Sequence, residues 1–456
     1  MIVGLEPYAE YKDSGLPWLG QVPGHWAIRR MKSAVMNVIE QTFEMSSDEV
    51  YVALEHVESW TGKARPQSDS SLFTGQVKRF RKGDVLFGKL RPYLAKVTRI
   101  STDGVCAGEF FVLRPTDMAV SAAYLEHQLR AKHTIDVING STFGAKMPRA
   151  DWQFCGNLPF PLPPPAEQAA IVRFLDWANG RLERAIRAKR KVIALLNEQK
   201  QAIIHRAVTR GLDPSVPLKP SGIPWLGDIP HHWDVQRCGS LFLEVVDTSH
   251  PTLLLLSIDR VKGVIPQSDT GRRTRASENR NAYKRVRPGQ LAYNLMNAFM
   301  GSLGFSSYDG IVSPAYAVAQ PRRTIEPRFF HALFRTTAYT GEFNRLSYGI
   351  MYERNRLYFE RFKLVPALIP PLVEQREIVQ GIHAKTAELN TTITRLEREI
   401  ELLREYRTRL VADVVTGKLD VREAAARLPD EASPDRAGDD TDPSLDSEAA
   451  DEEATV

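Results

Sequence analysis

Cysteine is scarce in this sequence of 456 residues, which contains only Cys106, Cys155 and Cys238. Their number is odd and no Cys-x-x-Cys pair occurs, so a disulfide framework and a cysteine zinc site are both disfavoured. No apolar run approaches the roughly 20 residues of a membrane-spanning helix. The N-terminus lacks the basic and apolar segments of a secretory signal. These absences predict a soluble cytoplasmic protein without a membrane partner or a metal site.

The motifs of several enzyme classes are also missing. The sequence has no Gly-x-x-x-x-Gly-Lys-Ser/Thr phosphate loop and no His-Glu-x-x-His zinc motif. It has no Asn/Asp-Pro-Pro-Tyr/Phe tetrapeptide of an amino-methyltransferase and no nuclease carboxylate triad that we can identify. His25 and His232 lie in Pro/Gly/Trp loops without a paired carboxylate, which favours structural roles. We therefore predict no catalytic residue.

Charge is distributed unevenly along the chain. The net charge is +5, but residues 429–456 carry eleven acids and one base, a net of −10, which leaves +15 on residues 1–428. The acidic end has no aromatic residue and few aliphatic ones, so residues 421–456 are predicted to be a disordered tail. The basic remainder is typical of a protein that binds a polyanion such as nucleic acid.

The strongest positive signal is an internal repeat. The loop SGLPWLGQVPGHW (residues 14–26) recurs as SGIPWLGDIPHHW (residues 221–233), with nine of thirteen positions identical and an offset of 207 residues. PPPAEQAAIV and PPLVEQREIV, and later VTRGLD and VTGKLD, recur at the same offset. Three anchors at one offset indicate a tandem duplication of a unit of about 207 residues. The recurrence of the loop suggests that its tryptophans, Trp18, Trp26, Trp225 and Trp233, dock where a domain meets a helix.

Each repeat predicts an α+β domain followed by a long helix. The domains, residues 1–166 and 210–373, mix short strand-like runs with a few helices. Residues 167–209 and 374–420 have almost no Gly or Pro and a narrow apolar stripe at heptad spacing, which predicts that the two helices pair with each other. We call this stripe the helix seam. Its predicted members are Leu182, Ile186, Ile193, Leu196, Ile203, Leu389, Ile393, Leu396, Ile400, Leu403 and Leu410.

This arrangement resembles the specificity subunits of type I restriction–modification systems. The resemblance rests on the Pro-Pro-x-x-Glu-Gln-x-x-Ile-Val sequences that begin both helices and on the repeated Gly-x-Pro-Trp-Leu-Gly-x-x-Pro-x-x-Trp loops, and it covers residues 8–420. It implies two target-recognition domains, each reading one half of a bipartite, asymmetric DNA target. It also implies that the helices form an antiparallel coiled coil with pseudo-two-fold symmetry that spaces the two halves. The acidic tail has no role in the resemblance.

The resemblance also implies partners and cofactors. The partners would be double-stranded DNA, two methyltransferase subunits and, through them, restriction/translocase subunits. S-adenosylmethionine, ATP and Mg²⁺ are expected on those subunits and no cofactor on this chain, which would itself be non-catalytic. Two alternatives stay open: a stand-alone sequence-specific DNA-binding protein, and a nuclease with an unrecognised site.

Basic loops supply the candidate DNA-binding residues. Arg can bind guanine and Asn can bind adenine through paired hydrogen bonds, while Lys and Arg also contact phosphates. The segment Arg272–Arg287 alone holds seven bases and one acid. The predicted DNA-binding residues are Lys89, Arg91, Tyr93, Lys96, Ser141, Thr142, Lys146 and Arg149 in the first domain, and Arg272, Arg273, Arg275, Asn281, Asn297, Tyr348 and Arg354 in the second.

Overall fold

The chain is divided into two compact units. The structure, a computed structural model, describes residues 5–69, 75–144, 146–260, 262–271, 279–349 and 355–429. The first unit comprises the chain up to Lys189 together with the stretch that begins at Glu397, and the second comprises Arg190–Leu396. Each unit therefore contains a sheet-rich domain and part of each long helix. The finer division into domains, helices and tail at residues 166, 209, 373 and 420 stays a prediction.

The first half of the chain contains short strands, three short helices and then one long helix. In order these are β1 (Tyr11–Asp13), β2 (Gln21–Pro23), β3 (Ala27–Arg30), β4 (Val35–Val38), β5 (Gln41–Thr42), β6 (Val50–Val52), β7 (Val77–Phe80), β8 (Val85–Gly88), β9 (Val97–Arg99), β10 (Gly104–Cys106), β11 (Phe110–Pro115), α1 (Ala122–Arg130), α2 (Lys132–Gly140), α3 (Trp152–Asn157), β12 (Pro159–Leu162) and the long helix α4 (Pro165–Arg210).

The second half repeats this plan. Its elements are β13 (Leu218–Pro220), β14 (Asp228–Pro230), β15 (Asp234–Arg237), α5 (Cys238–Leu241), β16 (Phe242–Glu244), β17 (Leu254–Asp259), β18 (Gly263–Pro266), β19 (Lys284–Val286), β20 (Leu291–Asn294), β21 (Leu303–Phe305), β22 (Gly310–Val312), β23 (Tyr316–Pro321), α6 (Pro327–Leu333), α7 (Thr337–Leu346), α8 (Phe359–Phe362), β24 (Pro366–Ile369), the long helix α9 (Leu372–Val415) and α10 (Arg422–Ala426).

The two domains share most of their sheet topology despite their divergent sequences. In the first unit one sheet has the order β4-β11-β8-β9 and the other β5-β7-β10-β6, with β10 and β6 parallel. In the second unit β16-β23-β20-β21 matches the first of these sheets, and β17-β22-β19, with β17 and β22 parallel, matches β6-β10-β7. The fourth strand lies at opposite edges, since β5 pairs with β7 whereas β18 pairs with β17. The pairs β12-β3 and β15-β24 also correspond. This shared topology confirms the α+β class and the internal repeat.

Buried apolar runs account for these sheets. The run DVLFGKL forms β8, whose four residues are all buried, because both faces of its sheet are covered. In the second unit the ring of Phe242 lies 6.0–6.2 Å from those of Phe305, Phe330, Phe334 and Phe362, at the centre of a large aromatic core. Such aromatic clusters bury much area per residue and stabilise a domain of modest size.

Both long helices end in the same way. α4 and α9 are followed by Gly211 and Gly417, which have φ angles of +76° and +74°. Glycine adopts this left-handed conformation without the steric cost of a Cβ atom, so it is the usual residue after the last helical turn. Each glycine sits close against the repeated loop of its own unit, with Gly211 beside Trp233 and Gly417 beside Trp26.

Within each unit the two long helices run antiparallel. In the first, Ile171 and Ala178 of α4 share a buried cluster with Leu410 and Val414 of α9, and farther along α4 Lys189 bonds to Glu399. Residue numbers therefore rise along one helix as they fall along the other. In the second unit Val208 of α4 lies in one cluster with Ile378 of α9.

The predicted helix seam is sheltered from solvent throughout. Five members are buried, namely Ile186, Ile393, Leu396, Ile400 and Leu410, and the other six are half-buried. Apolar residues outside the seam are more exposed: Val192, Leu195 and Leu402 are 44%, 55% and 48% exposed. This pattern is that of a narrow apolar contact between paired helices.

The cysteines are unsuited to chemistry. All three are buried and free, and burial raises the pKa of the Cys106 and Cys155 thiols to about 12. Nowhere in the described ranges do three or more His, Cys, Asp or Glu side chains form a group that could hold a metal ion. Among those residues no helix is both long and apolar enough to cross a membrane.

Candidate nucleic-acid interface

A buried carboxylate joins the first repeated loop to the start of a long helix. Glu167, in the first turn of α4, accepts hydrogen bonds from the indole nitrogen of Trp26 at 3.0 Å and from the Tyr8 hydroxyl. Its other oxygen lies 2.8 Å from His25 Nε2. Burial, and then the bond to Glu167, raise the pKa of Tyr8 far above its usual value, so this phenol stays protonated as a donor.

The second repeated loop is attached by the same bonds. Glu374, in the first turn of α9, accepts from Trp233 Nε1 at 3.0 Å and pairs with His232 Nε2 at 2.7 Å. Trp26 and Trp233 are both fully buried. We call each Glu–Trp–His set a joint. The joints correct one sequence-based expectation, because each histidine does have a carboxylate partner, 142 residues away along the chain.

The glutamine after each of these glutamates bonds to the domain itself. Gln168 accepts from the backbone N–H of Ser121, just before α1, at 2.8 Å and donates to the carbonyl of Pro163 at 2.8 Å. Gln375 accepts from the N–H of Glu326, just before α6, and donates to the carbonyl of Pro370, at 2.9 and 2.8 Å. The repeated Glu-Gln dipeptide thus ties both the loop and the domain to the helix.

The four tryptophans of the repeated loops divide into two kinds. Trp26 and Trp233 lie where loop and helix meet, as expected. Trp18 instead stacks on His133 of α2, with ring centroids 5.6 Å apart, and Trp225 meets Tyr339 of α7 at 5.1 Å. In each loop one tryptophan therefore contacts the long helix, and the other contacts a short helix of the domain.

The two candidate loops of the first domain lie side by side. Leu90 forms a bridge with Arg149, and the N–H of Arg91 donates to the carbonyl of Pro148 at 2.8 Å. Tyr93, Lys146 and Arg149 are exposed, while Lys89 and Arg91 are half-buried. Arg149 also forms an ion pair with Glu109 at 3.0 Å. The structure thus brings five of the eight predicted residues onto neighbouring loops with exposed or partly exposed side chains.

Three other candidates in this domain are engaged internally. The ammonium of Lys96 donates to the carbonyl of Leu54 at 2.9 Å. The hydroxyls of Ser141 and Thr142 donate to the carbonyls of Ile138 and Asn139, at the end of α2. These bonds stabilise the loops that carry the exposed candidates.

The second domain presents fewer of its candidates. Asn281 is exposed, and Tyr348 is 51% exposed and carries the Arg361 guanidinium over its ring at 5.5 Å. Asn297 is half-buried, and its carbonyl accepts from the N–H groups of Met300 and Ser302 in a turn. The remaining predicted residues, Arg272, Arg273, Arg275 and Arg354, lie outside the described residues.

The C-terminal part of the basic segment Arg272–Arg287 is structural. Arg285 forms two hydrogen bonds to Asp309, at 2.8 and 2.6 Å, and lowers the pKa of that carboxyl. Arg287 pairs with Asp247 at 2.9 Å. These guanidinium groups are already occupied by carboxylates, so they are poorer candidates for DNA than their number suggests.

Sequence reasoning missed the residues that complete the joints. Glu167, Gln168, Glu374 and Gln375 were visible only as parts of a repeated helix start, and Tyr8 gave no signal at all. The available signal was the shared offset: a Trp and a Glu that both recur after 207 residues are candidates for a bonded pair.

Comparison with known proteins finds two curated relatives of one kind. The chain is 23% identical over 202 residues to the type I restriction enzyme EcoDI specificity subunit of Escherichia coli, covering 43% of this chain and 44% of that protein. It is 29% identical over 158 residues to the MjaVIII specificity subunit of Methanocaldococcus jannaschii, covering 32% and 34%. The matches span less than half the length of these relatives. They confirm the resemblance predicted from the motifs.

A solved structure shares the fold over most of the chain. It comes from work on complex assembly and conformational transition of the type I restriction–modification system, and it covers 87% of this chain and 99% of its own, with 18% identity and a TM-score of 0.62. This likeness confirms the predicted architecture of two α+β domains with two long helices. No protein-family model matches the chain.

Proposed function

We propose that this chain is the non-catalytic DNA sequence-recognition subunit of a type I restriction–modification system. It binds a bipartite, asymmetric target in double-stranded DNA, and each α+β domain reads one half of that target. The proposal implies a cytoplasmic protein, because the DNA to be modified lies there.

The observation that carries the proposal is the contrast between constant joints and divergent loops. Both joints use Glu, Trp and His in the same bonds, at the same spacing. The candidate DNA-binding loops of the two domains differ in sequence: residues 89–96 are KLRPYLAK, and residues 295–302, which join the equivalent strands, are LMNAFMGS. A constant frame that holds two different domains suits a subunit that must dock the same partners while it reads two unrelated half-sites.

In the first domain we propose that Lys89, Arg91, Tyr93, Lys146 and Arg149 contact DNA. Their loops adjoin one another, and basic and aromatic side chains together can bind phosphates and base edges. Lys96, Ser141 and Thr142 then act indirectly, since their polar groups hold these loops in place.

In the second domain we propose Asn281, Tyr348 and the arginines at 272, 273, 275 and 354 as DNA contacts. Asn281 and Tyr348 have the exposure that direct contact requires. Asn297 is assigned to shaping its turn.

The proposed partners follow from the same function. Two methyltransferase subunits would dock on this chain, and restriction/translocase subunits would join through them. S-adenosylmethionine, ATP and Mg²⁺ would be bound by those subunits, which would carry out adenine methylation and ATP-dependent cleavage.

A domain exchange tests the proposal. Residues 1–166 are replaced by the corresponding domain of a relative, the chimera is co-expressed with the methyltransferase, and methylated adenines are mapped across the host genome. We expect one half of the methylated sequence to change and the other to persist. The reciprocal exchange of residues 210–373 is the matched control and should change only the other half. Simultaneous change of both halves in either chimera would contradict separate readers.

Two simpler assays address the alternatives. A nuclease acting alone would cleave DNA when the purified chain is incubated with Mg²⁺, and we expect no cleavage. A stand-alone DNA-binding protein would bind its target specifically without a methyltransferase. We expect instead that the methyltransferase co-purifies with the chain and that specific binding requires it.

A further inference from the structure

The first unit contains a small cleft that the proposed function does not use. Its volume is roughly 60 Å³, and its lining includes Trp60, Arg130, Asn179 and Arg407. These residues belong to the loop after β6, the end of α1, and facing parts of α4 and α9. A volume of this size holds roughly four to six water molecules, which is room for a single small oxyanion.

An insertion in the first domain builds one wall of the cleft. Tyr51 of β6 and Leu255 of β17 are equivalent, because they pair with Val105 and Ile311 in the two parallel ladders. The sequence PQSD that follows them begins at Pro66 in the first domain and at Pro266 in the second. The connection is therefore four residues longer in the first domain, and it includes Trp60. The second domain makes the same connection with the short turn between β17 and β18.

Polar bonds fix this wall in place. The Arg130 guanidinium donates to the carbonyls of Thr61 at 2.5 Å and Val97 at 3.3 Å. Lys63 forms an ion pair with Glu183 of α4 at 2.6 Å. A preorganised wall loses little conformational entropy when a ligand binds.

The lining carries four basic side chains and the carboxylate of Glu183, and one of the cations makes no hydrogen bond or ion pair among the described residues. Lys63 is paired with Glu183, Arg130 with Glu126, and Lys132 with Asp136. In contrast, Arg407 makes no hydrogen bond or ion pair to any residue in the described part of the chain, although its side chain is half-buried. Burial lowers the pKa of this guanidinium, although the nearby charges of Glu183 and Glu58 act to raise it.

Asn179 adds a second group without a partner. Its side-chain oxygen is buried and has no hydrogen-bond partner among the described residues. The oxygen and nitrogen of an asparagine amide exchange places by a half-turn of the side chain, so the same position can present an N–H donor. After that half-turn Asn179, like Arg407, offers a donor to an anion in the cleft.

We propose that this cleft binds a phosphate group. The planar guanidinium of Arg407 can donate two parallel hydrogen bonds to a phosphate, Asn179 can donate from its amide, and Arg130 and Lys132 add positive potential. The phosphate is either a backbone phosphate of bound DNA or free inorganic phosphate. The equivalent positions of the second unit differ, since the repeat offset of 207 places Lys200 at the position of Arg407 and Thr386 at that of Asn179. The Thr386 hydroxyl already donates to the carbonyl of Ile382.

The first experiment uses inorganic phosphate and the full-length chain. Thermal unfolding is recorded over a phosphate series at constant ionic strength and pH 7, with chloride as the exchanged anion. A bound phosphate raises the melting temperature with the logarithm of its concentration above the dissociation constant. We expect Arg407→Ala and Asn179→Asp to lose this rise and Arg407→Lys to retain part of it. Arg398→Ala is the matched control, because Arg398 is exposed on α9, pairs with Glu401 and does not line the cleft, and it should behave as wild type.

The second experiment uses the assembled complex and DNA, and it alone rests on the proposed function. The affinity for target DNA is measured over a salt series. If the phosphate belongs to the DNA backbone, Arg407→Ala should lower the slope of log affinity against log salt by about one, and Arg398→Ala should not.

The two experiments separate the sources of the phosphate and the two proposals. An altered salt slope assigns the site to DNA, while a phosphate-dependent melting temperature with an unaltered slope assigns it to free phosphate. If Arg407→Ala matches wild type in both experiments, the cleft binds no phosphate and the inference is wrong. If the wild-type complex shows no sequence-specific DNA binding, the proposed function is refuted. The melting experiment then still tests whether the cleft binds phosphate.

Discussion

The two units contain the same joint in different surroundings. In the first unit Glu167 accepts from Trp26, His25 and Tyr8, and its side chain is 5% exposed. In the second, Glu374 bonds among the described residues to Trp233 and His232 alone and is 23% exposed. The Glu–Trp–His bonds are the same in both joints. The exposure of the glutamate differs because Tyr8 contacts only the glutamate of the first joint.

Chain continuity explains the difference. In the second unit α4 leads through Gly211 directly into the segment before the loop. In the first unit the equivalent segment, around Glu6, precedes α4, while α9 leads to Asp420, so the two are far apart along the chain. Non-covalent bonds replace the missing peptide link: the N–H of Asp420 donates to the carbonyl of Glu6 at 2.8 Å, and Arg422 lies over the Tyr8 ring at 5.1 Å. In the first unit these non-covalent contacts hold together two segments that in the second unit are joined by the backbone.

Removing each glutamate should have the largest effect and should distinguish the units. Glu167→Ala leaves the Tyr8 hydroxyl and the Trp26 indole N–H buried without an acceptor, and we expect it to lower the unfolding free energy of the first unit by about 4 kcal/mol. Glu374→Ala leaves the Trp233 indole N–H without an acceptor and should lower the unfolding free energy of the second unit by about 2 kcal/mol. Hydrogen exchange read by mass spectrometry gives the value for each unit. Equal losses would mean that the added donor in the first unit contributes nothing.

Adding a methyl group to one turn in each domain should have a smaller effect. Gly62 has a φ of +71°, and a Cβ there would lie 2.3 Å from the Val97 carbonyl oxygen, so Gly62→Ala should cost about 3 kcal/mol. Gly263, the first residue of β18 just after the corresponding turn, has a φ of +79°, and the nearest contact of an added Cβ would be His331 at 3.1 Å, so Gly263→Ala should cost about 1–2 kcal/mol. Urea unfolding of the two variants checks the order, and a reversed order would mean that the inserted loop is not packed as described.

Acid should weaken both units by a smaller amount. Burial lowers the pKa of His133 in the first unit and of His331 in the second to about 4, with Lys418 and Arg335 as further causes. Because an unfolded histidine binds its proton near pH 6.5, the stabilisation is complete above that pH and is lost as the pH falls towards 4. We expect each histidine to account for about 2 kcal/mol of this loss, since both are partly solvent-accessible.

His133→Gln and His331→Gln test this pH dependence. Each variant should lose less stability than wild type between pH 7 and pH 4.5, as measured by thermal unfolding at a series of pH values. The effect should appear in the first unit for His133→Gln and in the second for His331→Gln. A pH profile that is unchanged in both variants would rule out these two histidines as the groups responsible.

The repeated architecture could be predicted from the sequence because each of its signals lies within a few consecutive residues. The heptad stripe on α4 and α9, the glycines after them and the buried strand runs are all readable within a few residues, and the structure contains them. The joints were only half visible. A bond between Trp26 and Glu167 spans 141 residues, and no local pattern says which carboxylate an indole will meet.

The candidate DNA-binding surface was the least predictable feature. Counting bases favoured the segment Arg272–Arg287, yet Arg285 and Arg287 are bound to Asp309 and Asp247, which are distant in sequence. In the first domain, by contrast, the bridge between Leu90 and Arg149 brings together two loops that sequence reasoning had chosen separately. Whether a basic side chain is available to a ligand depends on the tertiary partners of each loop, and composition does not record them.

The bond between Glu6 and Asp420 has a consequence for the order of folding. The first unit is assembled from two stretches that are far apart in the chain, so during synthesis its cluster of α4 residues with Leu410 and Val414 cannot form until the end of α9 has left the ribosome. The second unit, Arg190–Leu396, is complete earlier. Because domains generally fold as units while the chain emerges, the domain encoded second should be the first to reach its final packing. The domain encoded first cannot complete its packing until the part of α9 that contacts α4 in its unit has been synthesised.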